Sequence, residues 1–230
     1  MNRKLILMTS LFIIIEIILG ILIQFTHQTL HIVLCYLSVV IACGFSFIFL
    51  KKDSFLTQLG LLFTVFADLF LVVITPMLQI PAMICFSITQ MCYFLRLYLN
   101  EKSKKEKFIH IITRITTSIL IIILTIIILK EKTDFLSIIS TFYYANLIIN
   151  IIIAFRKSNK SILFSIGLLL FSLCDLQIGI AILNDSYINV SNNIILNFLS
   201  NPPFNFAWLF YVPSQTLIAL SVINDKTSTN

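Results

Sequence analysis

Charge is what this chain has least of. Only 11% of its 230 residues are Asp, Glu, Lys or Arg, against 59% hydrophobic, where a soluble domain carries about 25% charged residues. A chain so poor in polar groups cannot face water all round, which excludes a soluble globular domain and leaves a polytopic membrane protein. A nucleotide-binding loop and a low-complexity tail are also missing. The five cysteines (Cys35, Cys43, Cys85, Cys92, Cys174) form no C-x-x-C pair, so they read as small apolar side chains within the spans, not as disulfides or metal ligands. Histidine is scarce. His27 and His31 are spaced i, i+4 but flank an outer loop with no third ligand, and His110 sits at a helix start. No metal site and no cofactor are expected. The net charge of +6 does not point to nucleic acid, because the basic residues fall in short clusters between apolar segments, as membrane topology requires.

What is present is a series of apolar runs. About 20 such residues cross a bilayer as a helix, the one open-chain form that satisfies its own backbone there. Eight runs qualify: 5–23, 30–50, 57–75, 82–99, 108–129, 135–155, 162–183 and 204–223. The sequence therefore predicts an all-α fold, a single eight-helix transmembrane domain over 1–230, with short loops making consecutive helices antiparallel neighbours. Met-Asn-Arg-Lys ahead of the first run looks like a signal peptide. That run is too long, and no small-x-small site follows Gly20, so it is expected to remain as the first span. Arg3, Lys4, Lys51, Lys52, the lysines of 102–107, Arg156, Lys157, Lys160 and Lys226 fall on one side, opposed by Lys130 and Lys132, which predicts both termini in the cytoplasm. The loop 184–203 lacks Lys and Arg and is expected along the outer interface before Pro202 and Pro203 open the last helix. Ile-, Asn- and Lys-rich usage points to an AT-rich microbial genome and so to the cell membrane.

Two carboxylates lie inside these runs. GLLFTVFAD (60–68) places Asp68 in the third, and GLLLFSLCD (167–175) places Asp175 in the seventh, each eight residues after a glycine. The 107-residue offset between them also carries Tyr36 onto Tyr143, while Phe86 and Gln90 parallel Tyr211 and Gln215. A duplication of four helices would give two parallel repeats, 1–107 and 108–230. A carboxylate at mid-membrane costs several kcal/mol, so both acids are candidates for function, against the plainer role of a protonated, hydrogen-bonded packing group. At 1.5 Å of rise per residue they lie roughly 20 Å from the cytoplasmic boundary. Glu16, Gln90, Tyr143, Tyr144, Asn146, Tyr211 and Gln215 fall at roughly 12–20 Å on the same measure. Seven spans, counting Tyr36 on the second, thus supply a polar group to one layer. The fifth supplies none and is expected to be a lipid-facing helix. Gly60, Thr64 and Asp68 share one face, as do Gly167, Asp175 and Gly179, which admits close neighbours. Phe86, Gln90 and Tyr93 share another, as do Tyr143, Asn146 and Asn150. Glu16 is expected to hydrogen-bond one of the aspartates. Pro213 lies between Tyr211 and Gln215 and frees a backbone carbonyl beside them.

These glycine-to-aspartate stretches, the F-x-x-x-Q-x-x-Y of Phe86, Gln90 and Tyr93, and the Y-x-x-x-Q-x-L-I-A beginning at Tyr211 resemble the YhhN family of membrane proteins, which includes the animal lysoplasmalogenases. The likeness covers essentially the whole chain. The family commonly has a histidine where this chain has Gln90, and often a glycine where it has Ala67. The resemblance implies hydrolysis of the vinyl ether bond of a lysoplasmalogen, a lysophospholipid drawn from the surrounding membrane lipids, to a fatty aldehyde and a glycerophospho-headgroup.

The residues suit that chemistry. Vinyl ethers resist base and yield to acid, because protonating the alkene carbon gives an oxocarbenium ion. Two carboxyls in different surroundings can divide the work of proton donor and base, as in glycoside hydrolysis. Asp68 and Asp175 are the expected pair, with Tyr144, Tyr211 and Gln215 orienting substrate or water and Glu16, Gln90, Tyr93, Tyr143 and Asn146 lining the site. Mid-membrane acids in parallel repeats also fit a small proton-coupled transporter, although glycine-rich broken helix pairs are lacking. A lipid-binding protein without turnover is the third reading.

Overall fold

A computed structural model describes residues 3–49, 54–74, 78–156, 162–186 and 204–224. Among them lie eight helices long and apolar enough to cross a membrane. They are α1 Arg3–Phe25, α2 Gln28–Phe47, α3 Phe55–Asp68 with the turn that continues its span to Val73, α4 Gln79–Leu99, α5 Lys104–Leu129, α6 Phe135–Arg156, α7 Ile162–Ser186 and α8 Phe206–Asn224. The predicted spans recur, with shifted ends. α5 starts four residues ahead of its apolar run because Ser103 caps it, its hydroxyl accepting the Glu106 N–H at 3.3 Å. This is a Ser-x-x-Glu start of the kind that satisfies otherwise orphaned amides. α6 opens in a similar way, with Asp134 accepting the Ser137 N–H at 2.7 Å. The third span changes form at its acid. After Asp68 the chain continues as a π-helical turn, Leu69–Val73, closed by the Ile74 N–H on the Leu69 carbonyl at 3.0 Å. α7 runs to Ser186, and residues 187–203, which hold most of the predicted interfacial loop with Pro202 and Pro203, lie outside the described residues. So do Lys51, Lys52, Lys157, Lys160 and Lys226.

Odd-numbered helices start, and even-numbered helices finish, at one end of the bundle, here called the near end. Bonds between helices follow that alternation: Gln24 of α1 meets Asn205 ahead of α8 at the far end (2.9 Å), and Arg96 of α4 donates to Ser221 of α8 near the other (3.0 Å). Lipid offers no hydrophobic drive between helices, so close backbone approach and buried polar contacts hold them together. The two tightest pairs are α3 with α4 and α7 with α8. A Cβ on Gly60 would run into the Tyr93 ring, and the Thr89 hydroxyl crosses to the Gly60 carbonyl at 3.0 Å. A Cβ on Gly167 would lie 2.7 Å from Ile218 Cγ1 and 3.1 Å from both Ile218 N and Ser214 O. Both glycines thus act as the expected close-approach points, whereas nothing stands within 4 Å of a Cβ on Gly179. α5 packs chiefly on α6 and has only 11% of its span buried, as its Ile-rich sequence predicts.

Candidate active site

Five polar side chains lie thirteen residues from the near end of their helices: Glu16 from Arg3, Asp68 from Phe55, Asp175 from Ile162, Tyr143 from Arg156 and Tyr211 from Asn224. Each is therefore about 20 Å deep, in one layer. Within it each aspartate meets a tyrosine. The Tyr211 hydroxyl donates to Asp68 Oδ2 at 2.6 Å, and the Tyr143 hydroxyl donates to Asp175 Oδ2. The Phe171 ring stands between the two phenols, 5.4 Å from Tyr211 and 6.4 Å from Tyr143, and Phe86 packs on both Tyr143 and Phe171. The two aspartate–tyrosine pairs are joined through the Phe171 ring, which packs on both phenols. Their surroundings differ. Asp68 is 2% exposed, whereas Asp175 is half-buried.

Beside the Asp68–Tyr211 pair, one turn further along α8, Gln215 is fully buried, and among the described residues neither its amide oxygen nor its amide nitrogen has a partner. Leaving a buried polar group unmade costs about 1–3 kcal/mol per group, which makes Gln215 a candidate for contact with a bound molecule. Tyr144 pairs its hydroxyl with Ser172 at 3.2 Å on the face next to Asp175. The π turn begins directly after Asp68, and such turns are frequent at functional sites because they re-aim the residues around them. What the arrangement can do chemically is hold two carboxyl groups, each with one oxygen engaged by a phenol and the other left to act.

Other expected members have other partners. Glu16 has a different partner from the aspartate expected for it: its Oε2 accepts the Ser38 hydroxyl at 2.6 Å, while Oε1 has no partner among the described residues. Tyr93 is a core side chain, edge-on to Phe164 with centroids 5.3 Å apart and packed on Gly60. Gln90 and Asn146 belong to a second cluster nearer the near end. There the Asn150 amide donates to Gln90 Oε1 at 3.0 Å, and Arg114 donates to Asn146 Oδ1 and to Asn150 Oδ1, the latter at 2.5 Å.

Arg114 corrects the expectation that the fifth helix contributes nothing polar. It projects from α5 into the protein, 6% exposed, with its guanidinium 4.0 Å from the Phe94 ring centroid. The signal that marks it is a polar stripe, His110, Arg114 and Ser118, at i, i+4 and i+8 along an otherwise apolar helix. All three are buried.

The family model described as YhhN family matches residues 30–222, most of the chain. No curated protein and no solved structure matches it.

Proposed function

From the chain's place as a member of the YhhN family and from its two tyrosine-held aspartates, we propose that this multi-pass membrane protein hydrolyses the vinyl ether bond of lysoplasmalogens. The observation that carries the reading is the pairing itself. Two carboxyls of unequal burial lie within one aromatic layer, each held through one oxygen by a phenol. One aspartate, in its acid form, gives its proton to the alkene carbon: the O–H bond breaks, a C–H bond forms from the π electrons, and an oxocarbenium ion results. The second aspartate takes a proton from water as the water oxygen bonds to that cation. The hemiacetal so formed transfers its hydroxyl proton to the glycerol oxygen, the C–O bond breaks, and aldehyde and alcohol leave. General acid catalysis contributes about 10²–10⁴ in rate. Charge stabilisation of the cation by the second carboxylate and by the ring faces adds to it. Gln215, buried and unpartnered among the described residues, would hold water or the glyceryl oxygen. The cell membrane, with both termini in the cytoplasm, is the proposed location.

The test is turnover of a defined lysoplasmalogen by purified protein in deuterated water. Aldehyde should be released carrying deuterium on the carbon beside the carbonyl, and Asp68→Asn and Asp175→Asn should each lower the rate at least 100-fold. Unlabelled aldehyde rules out carbon protonation, and undiminished rates in the variants remove the aspartates. One observation favours the alternative of proton-coupled transport: Glu16 is a third buried carboxyl, with one oxygen unpartnered among the described residues. Proton uptake into proteoliposomes on addition of a lysophospholipid, lost in Glu16→Gln, without aldehyde release, would carry that reading instead.

A further inference from the structure

Arg114 is a buried cation without a buried anion. Among the described residues it makes no ion pair; its guanidinium is held by the side-chain oxygens of Asn146 and Asn150 and by the face of Phe94, and its Nε–H is buried with no partner. Beside it Gln90, fully buried, leaves its amide nitrogen unbonded. The unpaired groups of Arg114 and Gln90 are donors, and the acceptors bonded to the guanidinium are neutral amide oxygens. A cation so placed in a membrane span is costly unless an anion completes it. Two buried donors and one positive charge suit a phosphate oxygen, for which a guanidinium is the fitting partner.

Position decides which phosphate. Asn146 and Asn150 lie three and seven residues from Tyr143 along α6, toward the near end. The cation is therefore set about 5–10 Å along the helix axis from the Tyr143–Asp175 contact. In a glycerophospholipid with an ether at the first glycerol carbon, about six covalent bonds separate the vinyl ether carbon from phosphorus, or roughly 7 Å when extended. We infer that Arg114, with Gln90, binds the phosphate of the lysophospholipid headgroup while its vinyl ether reaches Asp68 and Asp175. The inference deepens the proposed function and rests on it for the identity of the lipid. Asn146 and Asn150 are positioning residues that aim the guanidinium.

The experiment compares wild type, Arg114→Lys, Arg114→Gln and Asn150→Asp. Asn150→Asp supplies the missing anion from within, so the fold keeps its arginine contact while the phosphate seat is filled. Two readouts are taken. The first is the ratio of kcat/KM for a lysoplasmalogen to that for the phosphate-free 1-alkenylglycerol. It should fall at least tenfold in Arg114→Gln and Asn150→Asp, and less in Arg114→Lys. The second needs no turnover: binding of a non-cleavable 1-alkyl lysophospholipid, with 1-alkylglycerol and inorganic phosphate as separate probes. The phosphorylated lipid should bind wild type at least tenfold more tightly than Asn150→Asp, 1-alkylglycerol should not distinguish the two, and inorganic phosphate should bind neither at millimolar concentration. An unchanged lipid affinity in Asn150→Asp shows the arginine to be a structural contact and overturns the inference. Phosphate binding that Asn150→Asp abolishes, with lipid binding intact, assigns the seat to a free anion and overturns it as well. Absence of aldehyde from every substrate defeats the hydrolase reading alone, since the binding comparison still decides the phosphate seat.

Discussion

A carboxyl group in an apolar helix depends on its nearest donor, and the two aspartates depend on theirs unequally. Asp68 is 2% exposed, so nothing but protein can replace the Tyr211 hydroxyl. Asp175 is half-buried, so water that enters the bundle beside a bound lipid can reach it when Tyr143 is lost. Tyr211→Phe should therefore destabilise the protein by about 1–3 kcal/mol and lower turnover more than Tyr143→Phe does. Thermal unfolding in detergent and aldehyde release check the two effects together. Equal losses in both variants would show that the difference in burial is without consequence. At this scale Asp68 and Asp175 were plain in the sequence, because a carboxylate costs so much in lipid that its mere presence is informative. Their partners were not. Tyr143 and Tyr144 are neighbours in sequence and point about 100° apart on a helix, and only the packing of α6 on α7 decides that Tyr143 meets the acid. Glu16 has Ser38, a short hydroxyl of a kind common in apolar spans and silent in any pattern. Arg114 was visible by number. The reach of a guanidinium, several ångströms beyond its own Cα, was not.

Elements come together here through small residues, and the two glycines differ in what they face. Beside Gly60 the obstruction is the ring of Tyr93; beside Gly167 it is Ile218 Cγ1 together with backbone atoms of α8. Gly60→Ala should cost about 1–3 kcal/mol through overpacking and be rescued in good part by Tyr93→Leu, measured as thermal stability in detergent. Gly167→Ala should cost as much, with Ile218→Val recovering less, because the backbone contacts at 3.1 Å remain. Equal rescue at both sites would mean that backbone approach is not limiting. The spans themselves were legible, since length and hydropathy suffice to mark a bilayer-crossing helix. The π turn after Asp68 was not, because a slip of one residue in the hydrogen-bond register leaves composition unchanged.

For the whole molecule, the offsets of 107 and 125 residues carry Gly60 to Gly167 and Tyr93 to Ile218, two glycine contacts that differ in what the glycine faces. The halves are not independent bodies. α8 packs on α1, α2 and α3 as well as α7, and α4 packs on α6. Asp68 takes its hydroxyl from α8, across the proposed repeat boundary. Fragments 1–102 and 103–230, expressed together, should copurify and regain activity, whereas either alone should unfold at a lower detergent concentration; stable isolated fragments would contradict this interdependence.

The depth of the carboxyl layer sets a condition on any lipid that reaches it. The aspartates lie about 20 Å from the near end in a hydrocarbon core about 30 Å thick. A phospholipid resting in the leaflet at that end keeps its ether linkage close to the interface. It must therefore be drawn vertically to beyond the bilayer centre before its ether bond would meet the acids, and its hydrated headgroup must follow. A lipid with a single chain can be hoisted in this way past a bundle of helices, while a second chain would have to be dragged along with the first. Preference for lysolipids over two-chain lipids would then arise from elevation, without any pocket that measures the second position of glycerol.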